Sequence, residues 1–268
     1  MSDEVSLEFK GKVAVITFNL PKALNALTYQ QYIALGKAME EANEDEDSVV
    51  TIIQSSGRFF SAGANMKDVG SSSSTDHEYW LQRFVGRNVW LADVFHNHKK
   101  IIVAAVNGPA IGLSAALLAL SDVIYVKEKA KFYLLAPFSN LGLVCEGMAS
   151  ASLYQRLGWS LASEAIVFAR PIQGEVLERV GFINKSFDGQ FSSTEEFNAA
   201  IEKMVTEMFE NLYYPSMLAN KQLLKANRDA MLNAANAKEA VVGFDKWIQG
   251  VPQDRFKQLR EGKIKHKM

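Results

Sequence analysis

Two strand–glycine turn–helix junctions constrain this chain more than anything else in it. Gly57-Arg58-Phe59-Phe60-Ser61-Ala62-Gly63-Ala64-Asn65 follows the apolar run Val49-Val50-Thr51-Ile52-Ile53. Asn107-Gly108-Pro109-Ala110-Ile111-Gly112-Leu113-Ser114-Ala115-Ala116 follows Ile101-Ile102-Val103-Ala104-Ala105-Val106. Short β-branched runs bounded by glycine read as buried strands, and each turn passes into a helical pattern. Gly63, Gly108 and Gly112 allow backbone geometry and close approach that a Cβ would obstruct, and Pro109 fixes φ. The first N–H groups of a helix lack internal acceptors, and the dipole there favours negative charge. Taken singly, either junction is an ordinary turn of an α/β protein. Two of them converging on one point would form an oxyanion hole.

The 268 residues, 48% of them hydrophobic, suffice for one large core or two modest ones. With 29 basic and 30 acidic residues, nothing suggests a nucleic-acid surface. The single cysteine, Cys145, cannot form an intramolecular disulfide. Apolar runs are too short for membrane insertion, because Asn107, Gly108, Pro109 and Gly112 interrupt the longest stretch. The acidic start Met1-Ser2-Asp3-Glu4 has no apolar or Arg-rich presequence character, so secretion or presequence import is not expected.

Patterning predicts strands at Val13–Phe18, Val49–Gln54, Ile101–Val106, Val123–Val126 and Lys131–Leu135. Helices are expected from the N-cap Thr28 toward Asn43, from Glu78 to His96, and over 112–120. Gly70-Ser71-Ser72-Ser73-Ser74-Thr75 reads as a low-complexity loop. After Glu146 the pattern is helical nearly to the end, with breaks near Gly158 and Pro171 and helices at Glu195–Tyr213, Ser216–Asn227 and Asp229–Trp247. Strands and helices first, then helices alone, indicate an α/β core followed by a helical region.

The two glycine loops, with Asn19-Leu20-Pro21-Lys22-Ala23-Leu24-Asn25-Ala26-Leu27 before them, resemble the crotonase (enoyl-CoA hydratase/isomerase) superfamily over most of the chain. The resemblance implies an α/β fold, a β-β-α spiral core over residues 1–195 carrying the acyl-CoA site, and a helical oligomerisation region over 196–268. It also implies assembly as a homotrimer or hexamer. By position, the backbone N–H groups of Ala64 and Leu113 correspond to the oxyanion donors, and the backbone around Ser61, Ala62 and Ala64 to the wall that holds coenzyme A. Asn65 stands where the family usually has aspartate. Coenzyme A is then part of the substrate, with no separate cofactor and no metal.

The reaction depends on acids and bases that differ between members. At the positions of the two hydratase glutamates this chain has Ala116 and, after Pro137, Phe138, neither of which can move a proton. A carboxylate appears further on, in Asn140-Leu141-Gly142-Leu143-Val144-Cys145-Glu146-Gly147-Met148. That wording is similar to the delta3,delta2-enoyl-CoA isomerases, especially the fungal peroxisomal group, and implies Glu146 as a single catalytic base. Read without the resemblance, Glu146 is an acidic residue in a helix's first turn. Asn88, polar on an apolar helix face, is either a neighbour of that base or a structural amide. Asp68 is the nearest alternative acid, and the histidines show no catalytic spacing.

The expected activity is isomerisation of a 3-enoyl-CoA to a 2-enoyl-CoA in β-oxidation of unsaturated fatty acids. Dienoyl-CoA isomerase, another crotonase activity, and non-catalytic acyl-CoA binding stay open as alternatives. His266-Lys267-Met268 resembles a peroxisomal Ser-Lys-Leu address, implying an import receptor as partner and the peroxisome matrix as location.

Overall fold

A computed structural model describes residues 4–65, 68 and 74–265. The His266-Lys267-Met268 address and residues 70–73 of the serine-rich loop lie outside them.

The main sheet begins with a hairpin, β1 (Val5–Lys10) and β2 (Val13–Phe18), turned at Gly11. The hairpin adds a strand that patterning did not predict. β3 (Val50–Ser55), β4 (Ile101–Val106), β6 (Val123–Val126) and the two-residue β9 (Lys185–Ser186) continue in parallel, giving the order β1-β2-β3-β4-β6-β9. A smaller sheet, β5-β7-β8, comprises Ala110–Ile111, Tyr133–Leu135 and Ile172–Gln173. Single parallel bridges, Leu27 to Ala64 and Ser61 to Ala110, extend that second layer to both glycine loops.

Parallel strands covered on both faces read as continuous apolar runs, and all six residues of β3 are buried. Alternation then separates two cores. Ile16, Phe18, Ile53, Ile102, Ala104 and Val106 face inward with Leu35 and Met39 of α1 (Tyr29–Glu44) and with α4 (Leu113–Leu118). Val13, Val15, Val50, Ile52, Val103 and Ala105 face outward. That outer face is closed by Phe197, Ile201, Val205 and Phe209, one stripe of α7 (Thr194–Phe209). α1 starts where expected: Thr28 and Gln31 form a reciprocal capping box.

The helix expected over 78–96 comprises α2 (His77–Trp80), a π turn (Leu81–Gly86) and α3 (Arg87–His96). α5 (Ala149–Ile166) is broken at Gly158, which has φ 74° and ψ 169°. The stretch expected to be helical after α5 instead contains β8, α6 (Gly174–Arg179) and β9. α8 (Tyr214–Ala226), α9 (Asp229–Ile248) and an unpredicted α10 (Val251–Arg260) complete the chain. α9 and α10 return to the core: Trp247 and Phe256 are buried with Trp80, Phe84 and Leu141, and Trp80 stacks on Trp247 at 4.0 Å. No helix among the described residues is long and apolar enough to cross a membrane.

Candidate functional site

The two glycine loops meet backbone to backbone. A Cβ on Gly63, whose φ is +83°, would lie 2.6 Å from the Ile111 carbonyl oxygen. Gly112 occupies φ 63°, ψ −132°, a conformation open to glycine alone. This contact places Ala62, Gly63, Ala64, Ile111, Gly112 and Leu113 on one wall of a cleft of about 530 Å³.

Over residues 61–65 and 111–113 the hydrogen bonds leave two backbone donors over. Ser61 N–H donates to Pro109 O, Ala62 N–H to Leu24 O, and Gly63 N–H to the Ser61 hydroxyl. Asn65 N–H donates to Leu27 O, Ile111 N–H to Ser61 O, and Gly112 N–H to Leu135 O. Among the described residues, neither Ala64 N–H nor Leu113 N–H has a protein acceptor. Backbone donors are normally paired, so two unpaired ones beside a cleft are available to a ligand oxygen.

Ser61 is fully buried behind this wall. Its hydroxyl donates to Asn25 O at 2.7 Å and lies 2.8 Å from the Ser114 hydroxyl. It stiffens the first loop from behind and does not line the cleft.

Glu146 lines the same cleft from the segment before α5. Gly147 and Met148 both adopt left-handed conformations, φ 69° and 64°, and the turn closes with Ala149 N–H on Glu146 O at 3.3 Å. A Cβ on Gly147 would meet Leu113 Cδ1 at 2.8 Å, so the turn holding Glu146 rests against the start of α4. Burial among apolar groups pushes the Glu146 carboxyl up to about 7. The Arg87 charge and a hydrogen bond from Asn88 Nδ2, 2.7 Å from Glu146 Oε2, oppose that rise, while Glu239 adds to it. Arg87 donates from Nε (2.8 Å) and Nη2 to Asn88 Oδ1, which fixes the orientation of the amide. Asn88 is therefore the neighbour of the carboxylate.

Of the hydratase positions, Phe138 lines the cleft, whereas Ala116 is buried beneath Gly147. Asp68 lies elsewhere: it accepts from Tyr29 N–H at 2.7 Å and pairs with Arg83 at 3.8 Å. Burial pushes the Cys145 thiol up to about 12, which makes it a poor nucleophile. Burial also drives His96 down to about 4 and His98 down to about 3; His98 meets the Thr51 hydroxyl at 2.8 Å. Both are neutral at neutral pH and neither lines the cleft.

Sequence reasoning missed the far wall, where Phe256, Leu259 and Arg260 of α10 face the cleft with Tyr133 and Leu135 of β7. The signal was present in Gly250-Val251-Pro252, with proline in the first helical turn, and in the i, i+3 pair Phe256 and Leu259.

Known proteins resemble this chain over most or all of its length. Residues 8–247 match the enoyl-CoA hydratase/isomerase family. The chain is 39% identical to the 3,2-trans-enoyl-CoA isomerase of Saccharomyces cerevisiae, covering 100% of this chain and 98% of the relative. It is 35% identical to the Delta(3,5)-Delta(2,4)-dienoyl-CoA isomerase of Pyricularia oryzae, with 100% of each covered. An enoyl-CoA hydratase/isomerase structure from Mycobacterium paratuberculosis superposes with a TM-score of 0.85 at 21% identity, covering 96% of this chain and 99% of that one. A backbone shared with that structure, a family match over most of the length and a full-length relative at 39% identity lead to one conclusion: the chain belongs to the enoyl-CoA hydratase/isomerase family.

Proposed function

We propose that this protein is a delta3,delta2-enoyl-CoA isomerase that uses Glu146 as its one proton shuttle. The observation that carries the reading is a carboxylate, raised to about 7, facing a cleft that also presents two unpaired backbone N–H groups.

The C2 protons of a 3-enoyl thioester lie between a carbonyl and a double bond. Removing one delocalises charge over a dienolate, with much of it on the thioester oxygen. Ala64 and Leu113 N–H groups would hold that oxygen, and Glu146 would take the C2 proton and return it at C4. Asn88 steadies the carboxylate through the Oε2 it contacts. The reaction is redox-neutral and adds no water, so it calls for no metal and no cofactor beyond the coenzyme A of the substrate. The backbone of residues 62–64 is the wall proposed for that moiety, with Ser61 supporting it from behind.

Hydration is disfavoured because Ala116 and Phe138 stand where a hydratase would place its acids. The similarity to dienoyl-CoA isomerases supports a second reading. Among the described residues lining the cleft, however, Glu146 is the acidic side chain, whereas a longer proton relay calls for two. Purified protein should convert 3-hexenoyl-CoA to the conjugated 2-enoyl thioester, followed by its ultraviolet absorbance. Turnover of a 3,5-dienoyl-CoA alone would favour the second reading.

Fatty-acid oxidation is the setting such a substrate implies. Assignment to the peroxisome rests on His266-Lys267-Met268, which act as an address where they form a free C-terminus. A full chain lacking them should remain cytosolic in cells that have no intact copy; continued peroxisomal import would refute the address. The protein is also proposed to assemble as a trimer or hexamer. Trp159, Phe168, Tyr213, Leu223, Leu224 and Val241 are each more than 60% exposed, and such apolar surface calls for a covering partner. Light scattering at micromolar concentration should report a closed oligomer, and a monomer there would defeat the assignment.

A further inference from the structure

Behind half-buried Glu146 lies a buried carboxylate whose charge it senses, on an element outside the cleft. Glu239 of α9 is 7% exposed, and among the described residues no basic side chain pairs with it. Its Oε2 accepts from Met148 N–H at 2.8 Å; its Oε1 accepts from Ser150 N–H at 2.7 Å and from the Ser150 hydroxyl. Both oxygens thus receive donors from the first turn of α5, which favour the ionised form against the rise in proton affinity that burial causes. α5 has no cap of its own, because its N-cap residue, Met148, is left-handed and offers no side-chain acceptor. A non-glycine residue in that conformation is strained and persists only where its surroundings enforce it. Glu239 supplies that enforcement from a distant part of the chain.

One turn earlier on the same face of α9, Asn236 Nδ2 donates to Val89 O at 3.1 Å, on the residue after Asn88. One turn later, Gly243 leaves room for Phe84 and Val144: a Cβ there would lie 2.7 Å from the Phe84 ring. A single helix face therefore grips the two segments that carry Asn88 and Glu146.

We infer that Glu239 is a positioning residue of the isomerase reaction, and that with Asn236 it forms a clamp on α9 that sets the Asn88–Glu146 pair. This rests on the reading of Glu146 as the base. Glu239 touches no substrate, since its oxygens are occupied by α5 and it does not line the cleft. It acts through the Glu146–Ser150 turn by holding its shape, and by placing a negative charge behind the base. Four charged or titratable groups face Glu146: Arg87 from α3, Tyr32 from α1, Cys145 beside it and Glu239 from α9. Cys145 and Glu146 in turn face Glu239. Arg87 favours the anion at Glu146, and Glu239 opposes it and so raises its proton affinity.

The test compares Glu239→Gln and Asn236→Ala with wild type in the 3-hexenoyl-CoA assay over a range of pH. Glu239→Gln keeps the acceptor toward Ser150 but removes the charge and sets an N–H₂ against Met148 N–H. Its kcat should fall about tenfold or more, the scale of a misplaced catalytic group, with KM within about threefold. The acid limb of kcat should move to lower pH by about half a unit, because the base loses a neighbouring anion. Should Glu239→Gln fail to fold, Asn236→Ala carries the test, with a loss confined to kcat expected. Folded Glu239→Gln with wild-type kcat and pH profile would overturn the clamp, as would folded Asn236→Ala with wild-type kcat where Glu239→Gln does not fold. Wild-type protein inactive on 3-hexenoyl-CoA would instead overturn the reading on which the clamp rests.

Discussion

Glu146→Gln lowers isomerisation of 3-hexenoyl-CoA by at least about 100-fold, the lower range of what a positioned general base contributes. The amide keeps the size of the side chain and an acceptor for Asn88 Nδ2, but cannot take a proton. Product affinity, measured by titration with a 2-enoyl-CoA, should change little, because the wall proposed to bind it is the backbone of residues 62–64 and 113. The wild-type pH profile follows from the same group. Glu146 must be ionised to act, and burial holds its carboxyl at about 7, so activity falls as pH drops through neutrality. An exposed carboxylate would instead sustain activity to about pH 4 or 5. A Glu146→Gln protein with near wild-type turnover would sink the one-base mechanism. Asp68, held by Tyr29 N–H and Arg83, would then be the next acid to test.

Leu113→Pro should be nearly as damaging, through one missing hydrogen. Leu113 is the first residue of α4, where proline's fixed φ suits the helix and its absent N–H breaks no helical bond. The donor proposed for the thioester oxygen disappears while the fold is retained. Leu113→Ala trims the same buried side chain but keeps the N–H, so the ratio of the two variants isolates the donor. That ratio should be about 100-fold or more in kcat, the usual cost of one oxyanion donor. Equal rates in the two variants would remove Leu113 N–H from the mechanism.

Both predictions start from residues legible in the sequence, and the reason is local. Gly63 and Gly108 announce backbone contacts that no other residue permits, a Cβ on Gly108 running into Arg58 O, and Gly112 a backbone conformation open to glycine alone. Glu146 stood out because Ala116 and Phe138 removed its competitors. Asn88 was ambiguous for the opposite reason: a polar residue on an apolar face means either a site or a satisfied core amide, and only the distance to Glu146 decides. Glu239 was hidden altogether. On a helix with Lys238 and Asp245 it reads as solvated surface, and its role exists only once α9 lies across α5. The two-residue strands β8 and β9 are too short for any period to register. The π turn escaped too, because Trp80, Phe84, Asn88, Leu91 and Phe95 keep helical spacing through it.

That turn separates two tasks along one rod. A π turn closes its hydrogen bonds over five residues, so it holds one residue more than the helix on either side. Upstream, Trp80 is pinned by Trp247 in the aromatic cluster that reaches the cleft through Leu141 and Phe256. Downstream, Asn88 is pinned by Glu146. The wider turn absorbs the mismatch between these anchorages, so a shift at one end need not be passed along as rotation of the other. Substitutions that reshape the aromatic wall can therefore accumulate over evolutionary time without turning Asn88 away from the base. The wall proposed to meet the acyl chain is thereby free to diverge, while the pair proposed to move the proton stays put.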